Sequence, residues 1–99
     1  MKQKTADLLS ICIKAGKAAK GFDSVCEAVK TGKAYCVLAA CDASEKTIKE
    51  IAFICEKRDV PLFKTELSKD DIGSLFKKPT AVIAVCDEGF CGGFAKILK

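Results

Sequence analysis

Five lysines and one glycine near the start of the chain form the pattern with the clearest chemical meaning. The lysines lie in or beside residues 14–32, a segment whose acidic residues are Asp23 and Glu27. Gly21 lies among them, directly before an amphipathic pattern. Glycine lets a polyanion backbone approach closely, and the N–H groups that begin a helix carry partial positive charge. Nucleic acid is therefore the first class of partner that the sequence indicates. The lysines are Lys14, Lys17, Lys20, Lys30 and Lys33.

The positive charge of the chain is concentrated in its first 40 residues. The net charge is +4 over 99 residues. Residues 1–40 contain seven lysines and three acidic residues, while residues 41–99 contain ten basic and ten acidic residues. This distribution favours one basic face over a generally basic protein. The alternative is that these lysines only solvate the outer faces of two amphipathic helices.

Residue types that commonly carry catalysis are sparse. The chain has no histidine and so lacks the commonest general base. The serine-hydrolase, phosphate-loop and zinc-protease motifs are absent. Two pairs of adjacent carboxylates, Asp70-Asp71 and Asp87-Glu88, lie where helix caps are expected. The sequence therefore predicts no enzymatic activity and no cofactor.

The seven cysteines form no CxxC pair. An odd number argues against a closed disulfide framework. Most of them occupy apolar positions of periodic runs, where a free cysteine behaves as a small hydrophobic residue. We expect reduced, buried thiols and no metal site. Cys26 and Cys41 are the candidates for a reactive thiol. A thiol-dependent enzyme or sensor is therefore kept as a third alternative for function, beside the two binding hypotheses given below.

Length and composition indicate one domain, residues 1–99. Apolar residues make up 49% of the chain, which argues against disorder. No apolar run approaches the roughly 20 residues that span a bilayer. The basic N-terminus is followed by no signal-type cleavage site, so a cytoplasmic protein is expected.

Hydrophobic periodicity predicts helices and strands in alternation. Helices are expected at 4–15, between the opening Lys20-Gly21 and the terminating Thr31-Gly32, at 45–58, at 68–76 and after Asp87, with Ser44 and Ser68 among the caps. Gly92-Gly93 weakens the prediction for the middle of the last helix. Strands are expected at 35–40, 62–64 and 80–85, and residues 17–20 form a short connection or a brief edge strand. The charged outer face of the helix at 45–58 is interpreted as solvated and without function.

This order of elements predicts an α/β fold, a three-layer α/β/α sandwich on a small, mostly parallel sheet. The runs at 35–40 and 80–85 are wholly apolar, as expected of strands covered on both faces. In such a sandwich the segments that could bind RNA would converge at one edge. These segments are Gly21–Ser24, Asp42-Ala43 and Lys78–Thr80.

Nearly the whole chain resembles the kink-turn RNA-binding ribosomal proteins, the L7Ae and L30e family, and especially its short bacterial YlxQ-type members. The resemblance rests on three parts of the chain. They are LLSICIKAGKAAKGFDSVCEAVKTGKAYCVLAACDAS, the helix followed by Val60-Pro61, and KKPTAVIAVCDEGFCGGFAKIL. It implies a four-stranded mixed sheet, no enzymatic activity and structured RNA as partner.

The resemblance also implies a site at the start of the second helix. The family places a Gly-Thr-Asn-Glu segment there and a lysine one turn later, which contact the sheared G·A pairs and the backbone of the kink. Gly21 matches the family glycine. The other four positions differ, because Phe22, Asp23, Ser24 and Glu27 replace the threonine, asparagine, glutamate and lysine. A carboxylate cannot donate a hydrogen bond as an amide does.

Residues outside this helix complete the implied site. Asp42 matches the family's acidic residue after the central strand, with Ala43 beside it. Pro79-Thr80-Ala81 falls where the family packs apolar residues on a protruding base, with Lys78 preceding it.

The leading hypothesis is a monomeric, non-catalytic protein that binds ribosomal or other kink-turn RNA. Ribosomal proteins are further expected partners. The alternative is a protein-interaction module of the same fold with weak or no kink-turn binding. The replacement of the family residues at Asp23, Ser24 and Glu27 favours this alternative.

Overall fold

The helices and strands alternate along the chain as the sequence predicts, with boundaries shifted by up to about two residues. The computed structural model describes residues 2–77 and 79–98, without the side chain of Lys2. None of the helices in these ranges is long and apolar enough to cross a bilayer. The elements are α1 (Lys2–Lys14), β1 (Ala18–Lys20), α2 (Phe22–Lys30), β2 (Cys36–Ala39), α3 (Glu45–Lys57), β3 (Leu62–Lys64), α4 (Lys69–Phe76), β4 (Val82–Val85) and α5 (Glu88–Leu98).

The four strands form one mixed sheet in the order β1-β4-β2-β3. β2 and β3 are parallel, whereas β4 runs antiparallel to both β1 and β2. The prediction of a mostly parallel sheet is therefore wrong, and the mixed sheet implied by the resemblance is confirmed. An uninterrupted apolar run marks a strand covered on both faces, but it does not reveal the strand's direction.

The sheet is covered by helices on both faces, which confirms the three-layer sandwich. Val37 and Ala39 of β2 belong to the core shared with α2 and α3. Cys36 and Leu38 belong to the core shared with α1, α4 and α5. Because successive side chains of a strand point to opposite faces, one strand supplies both cores.

Three helices begin with the side-chain caps that the sequence predicts. The Thr47 N–H donates to Ser44 Oγ at 3.2 Å, and the Phe90 N–H donates to Asp87 Oδ2 at 3.0 Å. Ser68 and Asp71 form a reciprocal capping box, with both hydrogen bonds at 3.0 Å. Asp71 and Asp87, one from each carboxylate pair, thus hold helix starts.

Four cysteines are buried and behave as small apolar core residues. They are Cys12, Cys26, Cys36 and Cys55, while Cys41 is exposed and Cys86 and Cys91 are partly buried. Burial raises the pKa of Cys12 and of Cys55 to about 11. Burial also raises the pKa of Cys26, against the opposing effect of Lys30. These thiols stay protonated at neutral pH, which makes them poor nucleophiles.

The Gly92-Gly93 pair lies inside α5, which is continuous through both residues. A Cβ at position 93 would lie 3.0 Å from Leu8 Cδ2, whereas a Cβ at position 92 would contact nothing within 4 Å. Gly93 therefore lets α1 pack closely on α5, and Gly92 has no such packing role.

Gly92→Ala and Gly93→Ala are therefore expected to differ in their effect on the free energy of unfolding. Gly92→Ala is expected to raise the free energy of unfolding by about 0.5–1 kcal/mol, because alanine is the better helix former. Gly93→Ala is expected to lose that gain, since the Leu8 side chain must move. Urea denaturation of both variants measures the difference. Equal stabilisation by the two substitutions would contradict the packing role of Gly93.

Candidate functional site

The start of α2 lies at the end of the sheet where β2 finishes and β4 begins. Lys20, the last residue of β1, pairs with Ile83 of β4. The Gly21 N–H donates to the Val82 carbonyl at 3.2 Å, and the Ala40 N–H donates to the Ala81 carbonyl at 2.8 Å. These bonds hold the segments before α2, after β2 and before β4 at one edge of the sheet.

A groove of about 490 Å³ opens at this edge, and we call it the α2-entrance groove. Two of its sides come from segments that the sequence predicted to converge, Gly21–Ser24 and Pro79-Thr80. Lys78, a third predicted member, lies outside the described residues. The residues that line the α2-entrance groove are Lys20, Gly21, Phe22, Ser24, Pro79, Thr80 and Ala81.

Gly21 gives the groove its exposed helix end. It occupies the N-cap position of α2 with φ +90° and ψ 154°, and no side chain caps the helix. A Cβ at this position would meet nothing within 4 Å, so the backbone conformation, rather than crowding, requires glycine. The first backbone bond of the helix runs from the Val25 N–H to the Gly21 carbonyl. Side-chain caps satisfy N–H groups at the starts of α3, α4 and α5, so among the four helices from α2 to α5 the uncapped start of α2 is the one suited to an anion.

Lys20 supplies a cation beside this helix end. Its Nζ lies 5.0 Å from the centroid of the Phe76 ring. Both side chains are partly buried, and a cation–π contact stabilises by about 0.5–2 kcal/mol, which an anionic ligand can exceed by pairing with the ammonium. On the other side of the groove, Pro79 is exposed and Ala81 is partly exposed. The groove thus joins a cation and free helix N–H groups to a small apolar lip.

Thr80 and Asp42 have structural contacts at this edge. Thr80 is buried, and its N–H donates to the Lys69 carbonyl at 3.2 Å. The Lys69 N–H in turn donates to Asp42 Oδ1 at 2.8 Å. Asp42 therefore joins the end of β2 to the start of α4. The Ala43 side chain packs against the core beneath α1, α4 and α5.

The two acidic positions of α2 differ in their relation to the groove. Asp23 is exposed in the first turn of the helix. Glu27, one turn later, lines a neighbouring depression together with Thr31 and Lys33. Asp23 is thus the carboxylate closer to the α2-entrance groove along the helix.

The lysines of the predicted basic face are divided among several places. Lys17 and Lys33 line a shallow groove of about 400 Å³ with Tyr35. The Lys17 carbonyl accepts from the Cys86 N–H, so this groove lies at the opposite end of β1 from Lys20, about 10 Å away along the strand. Lys14 is exposed at the end of α1, and Lys30 faces α3. Of the five, Lys20 alone lines the α2-entrance groove.

Sequence reasoning assigned no function to several exposed residues that the structure places around grooves. Phe53, with 59% of its surface exposed, lies with Lys57 and Arg58 beside Phe22. A signal was present, because Phe53 is out of phase with the buried stripe of α3, Ile51 and Cys55. An aromatic residue on a charged helix face is a recognisable exception to amphipathic patterning.

A family model described as "Ribosomal protein L7Ae/L30e/S12e/Gadd45 family" matches residues 3–91 of the chain. Two curated bacterial proteins, each named RNA-binding protein YlxQ, are similar over most of their length. The protein from Bacillus subtilis (strain 168) is 34% identical over 92 residues, which cover 92% of this chain and 91% of the relative. The protein from Enterococcus faecium is 32% identical over 89 residues, which cover 90% and 85%.

Two solved structures share the fold. A protein of unknown function from Bacillus halodurans superposes with a TM-score of 0.88 at 25% identity, covering 99% of this chain and 98% of the other. A Giardia lamblia 15.5kD RNA binding protein superposes with a TM-score of 0.79 at 22% identity, covering 97% and 82%.

Proposed function

Because the chain belongs to the ribosomal protein L7Ae/L30e/S12e/Gadd45 family, we propose that it binds structured RNA of the kink-turn type. The observation that carries this proposal is the α2-entrance groove, where Lys20, the uncapped start of α2 and the apolar lip formed by Pro79 and Ala81 meet. The two curated relatives bear the name RNA-binding protein, which supports the same conclusion.

Different parts of the α2-entrance groove suit different chemical groups of a folded RNA. Phosphates are bound by the Lys20 ammonium and by the N–H groups of the first turn of α2, which together supply positive charge without a charged cap. Base edges contact the Ser24 hydroxyl, which both donates and accepts. An unstacked base packs on Pro79 and Ala81. Sequence-specific RNA recognition commonly targets splayed bases of this kind.

The role that fits these features is binding rather than catalysis. The chain has no histidine, and the carboxylates Asp71 and Asp87 serve as helix caps. We propose a monomeric, non-catalytic protein that works in the cytoplasm in association with ribosomal RNA or ribosomal proteins. A protein-interaction module is the second candidate, favoured by the replacement of family residues at Asp23, Ser24 and Glu27.

Charge reversal at one lysine tests the location of the site. Lys20→Glu is expected to weaken kink-turn RNA binding at least tenfold, because it places a carboxylate in the α2-entrance groove. Lys17→Glu makes the same charge change at the opposite end of β1 and is expected to have a much smaller effect. Fluorescence-anisotropy titrations measure both affinities, and circular dichroism checks the fold of each variant.

Equal losses for the two lysine variants would contradict a site centred on the α2-entrance groove and would instead indicate binding along the whole of β1. Unchanged affinity in both variants would contradict RNA binding through the basic segment altogether. Absence of RNA binding by the wild-type protein would instead favour the protein-interaction module.

Removing a negative charge from α2 is expected to strengthen RNA binding, whereas Lys20→Glu is expected to weaken it. Asp23→Asn is expected to raise RNA affinity about three- to tenfold, since it removes a negative charge at the helix start and adds an amide donor. Neither carboxylate lines the α2-entrance groove, but Asp23 lies in the first turn of α2 and Glu27 lies one turn further along, so Glu27→Gln serves as the matched control with a smaller gain. The same titration at low and high salt measures both. Equal gains that disappear together in high salt would contradict direct contact by residue 23.

A further inference from the structure

A second groove lies between α2 and α3, and we call it the aromatic groove. It has a volume of about 500 Å³. Phe22 and Lys30 line it from α2, and they lie two helical turns apart, so the groove extends along the helices for about 12 Å. Phe53 and Lys57 line it from α3, and Arg58 lies at the end of that helix.

Two phenylalanine rings are open to solvent in this groove. Phe53 is 59% exposed and Phe22 is 37% exposed. Ile51 and Cys55 of α3 are buried in the core, and Ile48 and Ile54 pack against it, whereas Phe53 is not among these residues. Phe53 therefore contributes little to the interior. Its ring is an exposed apolar surface, and the Lys57 ammonium lies over one of its π faces.

The charges around these rings favour a polyanion. Three cations, Lys30, Lys57 and Arg58, line the groove with one carboxylate, Glu50. Lys57 Nζ lies 4.5 Å from the centroid of the Phe53 ring. Since such a cation–π contact is weak and the lysine stem is flexible, a base can stack on the ring while the ammonium turns to a phosphate. A positively charged groove with exposed aromatic rings is the usual design for binding single-stranded nucleic acid.

The aromatic groove adjoins the α2-entrance groove at Phe22, which lines both. We propose that a single-stranded extension of the bound RNA enters the aromatic groove and stacks its bases on Phe53 and Phe22. Lys30, Lys57 and Arg58 pair with the phosphates. This inference rests on the proposed function and assigns the α2–α3 face to the same RNA, rather than to a protein partner.

The test compares two RNAs that differ in one feature. The first is a kink-turn duplex without overhangs, and the second carries an added single-stranded extension of roughly four nucleotides, tried on each strand in turn. Wild-type protein is expected to bind one of the extended RNAs about tenfold more tightly than the blunt duplex. Phe53→Leu keeps an apolar side chain but lacks a ring, and is expected to lose this gain. Phe53→Tyr keeps the ring and is expected to retain it.

The blunt duplex separates this inference from the proposed function. All three proteins are expected to bind the blunt duplex equally, because Phe53 lies outside the α2-entrance groove. If no extension improves binding by the wild type, the inference is overturned while the proposed function stands. A protein partner is then the remaining candidate occupant of the aromatic groove. A gain that survives Phe53→Leu would overturn stacking on this ring. If neither the blunt duplex nor either extended RNA binds, both proposals fail.

Discussion

The backbone conformation of Gly21 is the constraint on which the candidate site depends. At this residue the chain turns from the edge strand β1 into α2 with a positive φ, while its N–H donates to Val82 and its carbonyl accepts from Val25. A side chain with a capping oxygen would satisfy one of the helix N–H groups, but a positive φ of this size strongly favours glycine. The turn and the uncapped helix therefore have one cause. The uncapped helix end is thereby fixed at the rim of the sheet.

Strand direction decides which charges act together. β4 lies between β1 and β2 and runs antiparallel to both, so the residues before β4 meet the residue after β1. Lys20 consequently faces Pro79 and Ala81, while Lys17 lies about 10 Å away at the other end of the strand. A cluster of lysines in sequence is thus divided among several surfaces in space, and Lys20 is the one that adjoins the uncapped helix end.

The sequence allowed the elements, the caps and the covered strands to be predicted, because these depend on local periodicity and short-range hydrogen bonds. The prediction of a mostly parallel sheet was wrong, because the side chains of β4 are apolar on both faces whether the strand runs parallel or antiparallel to its neighbours. The convergence of Gly21 with Pro79 followed from the order of elements, but the division of the lysines did not, because it depends on sheet register. Phe53 was overlooked when its charged neighbours were interpreted as a solvated face.

We propose that the α2-entrance groove recognises RNA shape as well as RNA charge. This can be measured by titrating the wild-type protein against a kink-turn duplex and an unkinked duplex of equal length, each at two salt concentrations. Phosphate contacts make both affinities fall with salt. We expect the kink-turn duplex to bind at least tenfold more tightly at both concentrations. A steep salt dependence with equal affinity for the two duplexes would contradict it.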